Sequence, residues 1–239
     1  MSEAISWPKG SRILIILAHP DDPEFFMGGT IASWTAAGHH VKYALLTNGE
    51  RGVSAEFPDS TAVALRRRDE QKAAAHVLGV EEIDWLGYPD GFLEADLPSR
   101  KVLAGLIRAE KPDIVVTSDP LNYFQGGRYL NHPDHRTAGQ MVVNALFPAV
   151  GNASFFPELI EEGLAPHQVS ELWLSLPSAP NVELDVSPFW DKRAEALLQH
   201  RSQIGEPQAF LQHLKERLAE SDHNSGRYVE YFHRLVFRK

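Results

Sequence analysis

Two short polar motifs in this chain contain the residue types that hydrolytic chemistry requires. The first places His19, Asp21 and Asp22 within four residues, and the second places His132 and His135 three residues apart. Two neutral imidazoles and one carboxylate around an open coordination position form a hydrolytic zinc site, in which the metal lowers the pKa of bound water to about 7. We therefore expect His19, Asp22 and His135 to bind a metal ion.

The other polar side chains of the two motifs fit roles beside the metal. Adjacent side chains diverge, so Asp21 is better placed than its neighbour Asp22 as general base for a metal-bound water. His132 lies one helical turn before His135 and can reach the same cavity, to stabilise an oxyanion or to protonate a leaving amine. Asp134 is expected to orient His132 through a hydrogen bond.

Each of these residues also has an ordinary structural interpretation. A single histidine at the end of a strand is more often a hydrogen-bonded structural residue than a metal ligand. Asp21 and Asp22 can cap the positive N-terminus of one helix, and His132 and Asp134 can cap another. The presence of both motifs in one chain favours the metal-binding interpretation, with which capping is compatible.

The segments around the motifs have patterns typical of alternating strands and helices. Strands are predicted at 13–18, 40–46, 83–86, 114–117, 171–176, 182–186 and 228–237. An acidic loop is expected to join the first strand to a helix, with Gly28 and Gly29 allowing close packing where that helix begins. Further helices are predicted at 61–78, 97–109, 136–149 with its first turn at 132–135, 188–203 and 207–220. The aperiodic segment 118–131 is expected to be a functional loop.

This alternation predicts an α/β fold, a Rossmann-like three-layer sandwich with a mostly parallel sheet. We expect residues 1–239 to form a single domain. In a doubly wound sheet of order 3-2-1-4 the first and fourth strands are neighbours, and ligands bind at their carboxyl ends. The two polar motifs follow these two strands, so the topology predicts that they converge at this point.

Charge and composition exclude several classes of protein. The chain has 32 acidic and 23 basic residues, and its net charge of −9 disfavours nucleic-acid binding. The absence of cysteine excludes disulfides, thiolate metal sites and cysteine nucleophiles. A dinucleotide-binding module would need a G-x-G-x-x-G sequence after the first strand, and the chain has His-Pro-Asp-Asp there. The apolar run at 13–18 is too short for membrane insertion or a signal peptide, which favours a cytoplasmic location.

The motifs resemble those of the LmbE-like or PIG-L family of zinc-dependent N-acetylglucosaminyl deacetylases. The resemblance includes the segments 19–24, 28–30, 47–50, 90–91 and 132–135, together with Arg67, Glu70, Lys192, His200, Ser202 and Gln203. It implies that His19, Asp22 and His135 are the zinc ligands, that Asp21 is the general base and that His132 stabilises the transition state. It also implies that Arg67 and Asp90 contact the sugar substrate, although Arg67 also fits a solvated helix face and Asp90 a Pro-Asp-Gly turn.

The resemblance implies a zinc-dependent hydrolase that removes an N-acetyl group from a GlcNAc-containing small molecule or conjugate. The partner would be a small amino sugar, and the cofactor Zn²⁺, although two histidines and one carboxylate can also hold Fe²⁺. A zinc-dependent hydratase or another amide hydrolase on the same scaffold stays an open alternative. Bacterial relatives often assemble as homo-oligomers, so the same assembly is open for this chain.

The chain departs from some of its relatives beside the second motif. Thiol-pathway relatives have an active-site tyrosine two residues before the histidine that matches His132, whereas this chain has Leu130 there. Tyr123 and Tyr129 are out of register and receive no catalytic role. The segment 124–128 is expected to shape substrate access. His200 is left outside the predicted site and is expected to serve packing or an oligomer contact.

Overall fold

The computed structural model describes residues 7–52, 59–125, 129–221 and 227–237. Within these ranges the strands are β1 (Arg12–Leu17), β2 (His40–Thr47), β3 (Glu82–Tyr88), β4 (Ile114–Ser118), β5 (Phe124–Gln125), β6 (Tyr129–Leu130), β7 (Glu171–Ser175), β8 (Val182–Asp185) and β9 (Val229–Val236). The α-helices are α1 (Asp22–Ala36), α2 (Ser60–Val77), α3 (Leu97–Glu110), α4 (Pro133–Asn144), α5 (Pro157–Glu161), α6 (Trp190–Leu197), α7 (Arg201–Ile204) and α8 (Pro207–Ser221).

A seven-stranded sheet of order β3-β2-β1-β4-β7-β9-β8 forms the centre of the molecule. The five strands from β3 to β7 in this order are parallel, and β9 and β8 are added antiparallel at one edge. The expected order 3-2-1-4 and the mostly parallel α/β fold are therefore confirmed. Strands β1 and β4 are hydrogen-bonded neighbours, with Ile13 paired to Ile114.

Strand β1 shows why the sheet is covered on both faces. Successive side chains of a strand point to opposite faces. Ile13, Ile15 and Leu17 are buried in one apolar cluster, which includes residues of α1, α2 and α6, whereas Leu14 and Ile16 are buried in a second cluster with residues of α3 and α4. Because both faces of the strand meet helices, its sequence is continuously apolar rather than alternating. The result is the three-layer arrangement that the sequence predicts.

The connection from β1 to α1 is shorter than expected. Helix α1 begins at Asp22, so the acidic residues that were predicted to form a loop lie mostly in the first helical turn. Asp21 precedes the helix with φ 89° and ψ −29°, in the left-handed region. Proline at position 23 fits this early start, because proline is favoured in a first helical turn.

Gly28 and Gly29 allow α1 to pack closely, as expected. A Cβ atom on Gly29 would lie 2.7 Å from the Val186 side chain, and one on Gly28 would lie 2.9 Å from Cγ of Arg193. The two glycines therefore bring the C-terminal part of the chain directly against α1.

Two predicted helices have different limits in the structure. The helix whose first turn was predicted at 132–135 begins at Pro133, as expected, but its regular part ends at Asn144, because Pro148 has no backbone N–H to donate to the Asn144 carbonyl. The continuous helix predicted at 188–203 is wrong. The chain forms a 3₁₀ turn at Ser187–Phe189 and then α6 and α7, with His200 at φ −79° and ψ 53° between the helices.

The segment after β4 contains a small antiparallel hairpin, in which Phe124 pairs with Leu130 and Gln125 with Tyr129. Part of the segment that was expected to shape substrate access, residues 126–128, lies outside the described residues. No helix in the described ranges combines the length and the apolar character needed to cross a bilayer.

Candidate active site

The two polar motifs meet at the carboxyl ends of β1 and β4. His19 and Asp22 follow β1, and His135 lies in the first turn of α4. Nδ1 of His19 lies 3.3 Å from Nε2 of His135, and Oδ1 of Asp22 lies 3.1 Å from the same nitrogen. The structure thus brings together three side chains that are up to 116 residues apart in the chain.

These three side chains fit a metal ion by their spacing. The third separation, between Nδ1 of His19 and Oδ2 of Asp22, is 3.6 Å. Ligands of tetrahedral zinc at bond lengths of about 2.0–2.2 Å lie about 3.3–3.6 Å from one another. The two nitrogens are therefore spaced like tetrahedral ligands, and a different oxygen of Asp22 lies near each of them, so the three side chains suit a site with one open position.

Hydrogen bonds behind the two imidazoles orient their lone pairs toward the same point. Nδ1 of His135 lies 3.0 Å from Oδ1 of Asn131, an amide oxygen that can only accept a hydrogen bond. Nε2 of His19 lies 3.1 Å from Oδ1 of Asp90 and 3.3 Å from Oδ2 of Asp134. In the tautomers that these acceptors favour, Nε2 of His135 and Nδ1 of His19 are free to bind a metal, as in carboxylate–histidine–zinc arrangements.

The pKa shifts of His19 and Asp22 show that the space between His19, Asp22 and His135 favours positive charge. Burial alone would lower the pKa of His19, but hydrogen bonds with Asp134, Asp22 and Asp90 raise it to about 12. Burial alone would raise the pKa of Asp22, but the neighbouring His135 and His19 hold it well below its usual range. The carboxylates that favour a proton on His19 also favour a divalent cation beside it.

Within the described residues, two groups of three side chains have ligand atoms that all lie within 4.8 Å of one another: His19 with His132 and His135, and His19 with Asp90 and Asp134. Nδ1 of His132 accepts a hydrogen bond from the backbone N–H of Asp134 at 3.2 Å, so the neutral ring carries its proton on Nε2 and is a donor. Asp90 and Asp134 both accept backbone N–H groups. These contacts suit residues that orient a metal-binding side chain better than residues that bind the metal themselves.

Asp21 lies beside the donor set with a partly buried and constrained carboxylate. Burial raises its pKa to about 6, although the nearby Arg67 acts in the opposite direction. Nη2 of Arg67 donates to Oδ2 of Asp21 at 3.0 Å. A carboxylate with a raised pKa next to a site for a cation is chemically suited to accept a proton from water.

Asp134 does not orient His132 as expected. Its carboxylate accepts hydrogen bonds from the backbone N–H groups of Gly91, at 2.7 Å, and Leu93, at 3.3 Å, and it contacts Nε2 of His19. These backbone groups lie 43 and 41 residues away from Asp134, so sequence spacing alone could not show the contact. Asp134 therefore orients His19, and the His132 ring is fixed by the Asp134 backbone.

Arg67 and Asp90, the expected sugar contacts, have extensive internal hydrogen bonds. Arg67 donates to the carbonyls of Gly49, at 2.8 Å, and Pro20, at 2.7 Å, besides its bond to Asp21. Asp90 contacts His19 and accepts from the backbone N–H of Arg51 at 2.8 Å. Both residues line the site cavity, so sugar contact stays a prediction, whereas their positioning of Asp21 and His19 is visible.

A cavity of about 720 Å³ opens over this cluster. Asp21, His132 and the three metal-site residues line it on one side. The rest of the wall combines polar residues with five apolar side chains: Phe25, Phe26, Leu176, Phe210 and Leu214. A volume of this size suits a small-molecule ligand.

Sequence reasoning missed several residues around the site. Asn131, which fixes His135, directly precedes the second motif, so its position next to a candidate ligand was a usable signal. Glu24 and His200 are hydrogen-bonded at 3.1 Å across 176 residues. No local pattern links such distant residues, and His200, expected to serve packing or an oligomer contact, is buried at 1% exposure and packs against α1.

The fold and the site together define a class of protein: an α/β enzyme with a cluster of His and Asp side chains suited to a metal ion at the topological switch point of its sheet. The chain belongs to the PIG-L family, since the family model described as GlcNAc-PI de-N-acetylase matches residues 14–146. The expected family membership is confirmed.

Two named relatives and one solved structure are similar to this chain over most of its length. The chain is 35% identical to the diacetylchitobiose deacetylase of Thermococcus kodakarensis over 195 residues, which cover 82% of this chain and 71% of the relative. It is 30% identical over 198 residues to a probable N-acetyl-alpha-D-glucosaminyl L-malate deacetylase 2 of Bacillus anthracis, with 81% of each chain covered. The solved N,N'-diacetylchitobiose deacetylase of Pyrococcus horikoshii matches with a TM-score of 0.85 and 29% identity, covering 95% of this chain and 84% of the other.

Proposed function

We propose that this protein is a zinc-dependent hydrolase that removes the N-acetyl group from a small GlcNAc-containing molecule. The observation on which the proposal depends is the three-donor set of His19, Asp22 and His135, with Asp21 beside it in one cavity. Relatives that cover most of the chain are named as deacetylases of diacetylchitobiose and of GlcNAc-malate, which supports the same reaction.

His19, Asp22 and His135 would hold the metal ion through Nδ1, a carboxylate oxygen and Nε2 respectively. When bound, the metal would polarise the amide carbonyl and make water more acidic. We propose zinc because a mixed imidazole and carboxylate set with one open position is typical of hydrolytic zinc sites. Fe²⁺ is the alternative that the same donor set admits.

Asp21 and His132 would perform the proton transfers. The Asp21 carboxylate takes a proton from the attacking water, and its raised pKa makes it basic enough for this task near neutral pH. His132 is neutral at this pH, because burial and the nearby His19 and His135 lower its pKa. Its Nε2–H is therefore available to donate a hydrogen bond to the oxyanion that forms from the amide carbonyl.

The cavity wall suits an amino sugar. Phe25 and Phe210 contact each other edge to face, with ring centroids 5.8 Å apart, and offer an apolar surface to one face of a pyranose ring. Asp90 and Arg67 are at the polar side of the same cavity. Assembly into a homo-oligomer, a cytoplasmic location and a single domain over residues 1–239 stay predictions.

Acetate release is the direct test. The purified protein would be incubated with N,N'-diacetylchitobiose, GlcNAc-malate and GlcNAc-inositol, with and without a chelator, and with zinc or Fe²⁺ added back. We expect chelator-sensitive release of one acetate per free amine formed, restored by zinc. Metal-dependent turnover of an unsaturated acid without acetate release would instead establish the hydratase alternative.

Two variants make this test specific. Asp21→Asn removes the proposed base and should lower release by about 10²- to 10⁴-fold, whereas Asp69→Asn removes an exposed carboxylate on α2 and should leave release unchanged. Equal activity of the two variants would exclude Asp21 as the base.

A further inference from the structure

A chain of buried polar side chains lies behind Asp21, on the side away from the cavity. The backbone N–H of Asp21 donates to Oε1 of Gln71 at 2.6 Å, and Nε2 of Gln71 lies 3.0 Å from both carboxylate oxygens of Glu24. Nε2 of His200 lies 3.1 Å from Oε2 of Glu24. Glu24 and Gln71 are 0% exposed and His200 is 1% exposed. We call Glu24, Gln71 and His200 the rear network.

The rear network ends at the backbone of Asp21, whose conformation is unfavourable unless neighbouring groups hold it. Asp21 has φ 89°, a region that residues other than glycine rarely occupy and that persists only where the surroundings hold it. The Asp21 carbonyl accepts the backbone N–H groups of Glu24 and Phe25 at 3.1 and 3.0 Å. Its own N–H is held by Gln71, so the peptide groups on both sides of the Asp21 side chain are fixed.

Glu24 determines which end of the Gln71 amide faces Asp21. A carboxylate only accepts hydrogen bonds, so it selects the NH₂ end of the amide and leaves the carbonyl oxygen for the Asp21 N–H. A rotated amide would place donor against donor at Asp21 and acceptor against acceptor at Glu24. The two bonds from Gln71 to Glu24 therefore fix the bond from Asp21 to Gln71.

A buried carboxylate is unfavourable unless it is paired or hydrogen-bonded, and His200 is a partner of the buried Glu24 carboxylate. Burial alone would lower the pKa of His200, but its hydrogen bond with Glu24 raises it. The short break between α6 and α7 allows the ring to reach α1. Ser202, just beyond, donates to Glu70 through its backbone N–H at 3.0 Å and its hydroxyl at 2.7 Å.

We propose that Glu24, Gln71 and His200 are positioning residues for the reaction, holding the Asp21 peptide so that its carboxylate faces the water that attacks the amide. The inference rests on the proposed function, in which Asp21 is the general base. It assigns a role to the C-terminal His200 and Ser202 segment, 176 residues from Glu24.

Gln71→Met is the first test, because Met has a similar length and shape but cannot accept from Asp21 or donate to Glu24. In the zinc-loaded enzyme we expect kcat to fall about 10- to 100-fold, the range typical of supporting residues around a metal site. KM and zinc content should stay unchanged. Tyr43→Phe is the matched control, since the Tyr43 hydroxyl contacts the same Glu24 carboxylate at 3.4 Å but lies outside the path to Asp21.

A double-mutant cycle separates positioning from a general structural role. If the rear network acts through Asp21, Gln71→Met should lower the residual rate of Asp21→Asn by less than about threefold, because coupled residues are not additive. Equal factors in the two backgrounds would overturn the proposal. If Gln71→Met does not fold, His200→Gln, which keeps a donor to Glu24, should retain a higher kcat than His200→Leu, and equal rates would overturn it.

Crystal structures of the wild type and Gln71→Met provide a readout that does not depend on turnover. We expect the Asp21 peptide to leave the left-handed region or the carboxylate to move away from the cavity. An unchanged Asp21 in the variant would refute the positioning role. Absence of acetate release from the wild type would refute the proposed function instead, so the two failures are distinguishable.

Discussion

Asp21 lies between two polar regions that differ in almost every physical respect. On the cavity side, His19, Asp22 and His135 converge on one point and are suited to a cation. On the other side, the rear network is fully buried and its hydrogen bonds are satisfied within the protein. The cavity side provides the reacting groups, whereas the buried side determines where one of them points.

The comparison shows how a strained backbone conformation can be maintained in a reactive site. The left-handed Asp21 could not be held by the cavity side, because those groups must remain available to a metal and a substrate. It is held from behind by Gln71 and from the side by Arg67. Four predictions test whether the cavity side provides the reacting groups and the buried side positions them, from the largest expected effect to the smallest.

His135→Ala should have the largest effect, because it removes one of three donors to the metal. We expect metal affinity to fall by more than the roughly 100-fold that the loss of a supporting residue causes, and turnover to become undetectable. Zinc content and acetate release measured on the same sample check this. Full zinc retention in the variant would remove His135 from the metal site.

Asp21→Asn should separate chemistry from metal binding. We expect kcat to fall by about 10²- to 10⁴-fold, the usual contribution of a general base, while zinc content stays near that of the wild type. Steady-state kinetics and metal analysis of the two proteins provide the comparison. Loss of zinc together with activity would instead place Asp21 in the metal site.

Asn131→Ala tests the residue that fixes the His135 ring. Without the acceptor at Nδ1, the ring can adopt the other tautomer, and we expect zinc affinity to fall about 10- to 100-fold. A competition titration with a zinc chelator measures this change. Arg136→Ala is a suitable control, because Arg136 contacts the backbone carbonyl of Asn131, at 2.7 Å, rather than its side chain.

His200→Gln should have the smallest effect and a defined pH dependence. The pKa of His200 is raised in the folded protein, so protonated His200 stabilises the fold fully below its unfolded pKa of about 6.5, and this stability is lost as the pH rises through the raised value. We expect His200→Gln to reduce the free energy of unfolding by about 1–3 kcal/mol at pH 6 and by less at pH 9.

Urea unfolding of both proteins, with chelator present so that metal binding does not contribute, measures this difference. A reduction that is the same at both pH values, or larger at pH 9, would show that the charge on His200 does not stabilise the buried Glu24.

The sequence predicts the sheet and its order well because the parallel strands are short apolar runs that alternate with amphipathic helices. It also predicts that the two histidine motifs meet, since strand order alone brings the ends of β1 and β4 together. The limits of α1 were less predictable. Its start at Asp22 depends on the left-handed Asp21, which is held by residues far away in the chain.

The direction of individual side chains could not be predicted in the same way. Asp134 was expected to orient His132, but its carboxylate contacts His19 and accepts the backbone N–H groups of Gly91 and Leu93, which are far away in the chain. The break after α6 was hidden by helical periodicity, and it places His200 against Glu24 of α1, 176 residues away. Tertiary contacts over long sequence distances decided both cases.

The most direct measurement of the central claim is a crystal structure of the zinc-loaded protein with anomalous diffraction at the zinc edge. We predict one ion bound by Nδ1 of His19, Asp22 and Nε2 of His135, with Asp21 near the ion but not coordinating it. An ion bound instead by His132, or between Asp90 and Asp134, would contradict the division between metal ligands and the residues that position them.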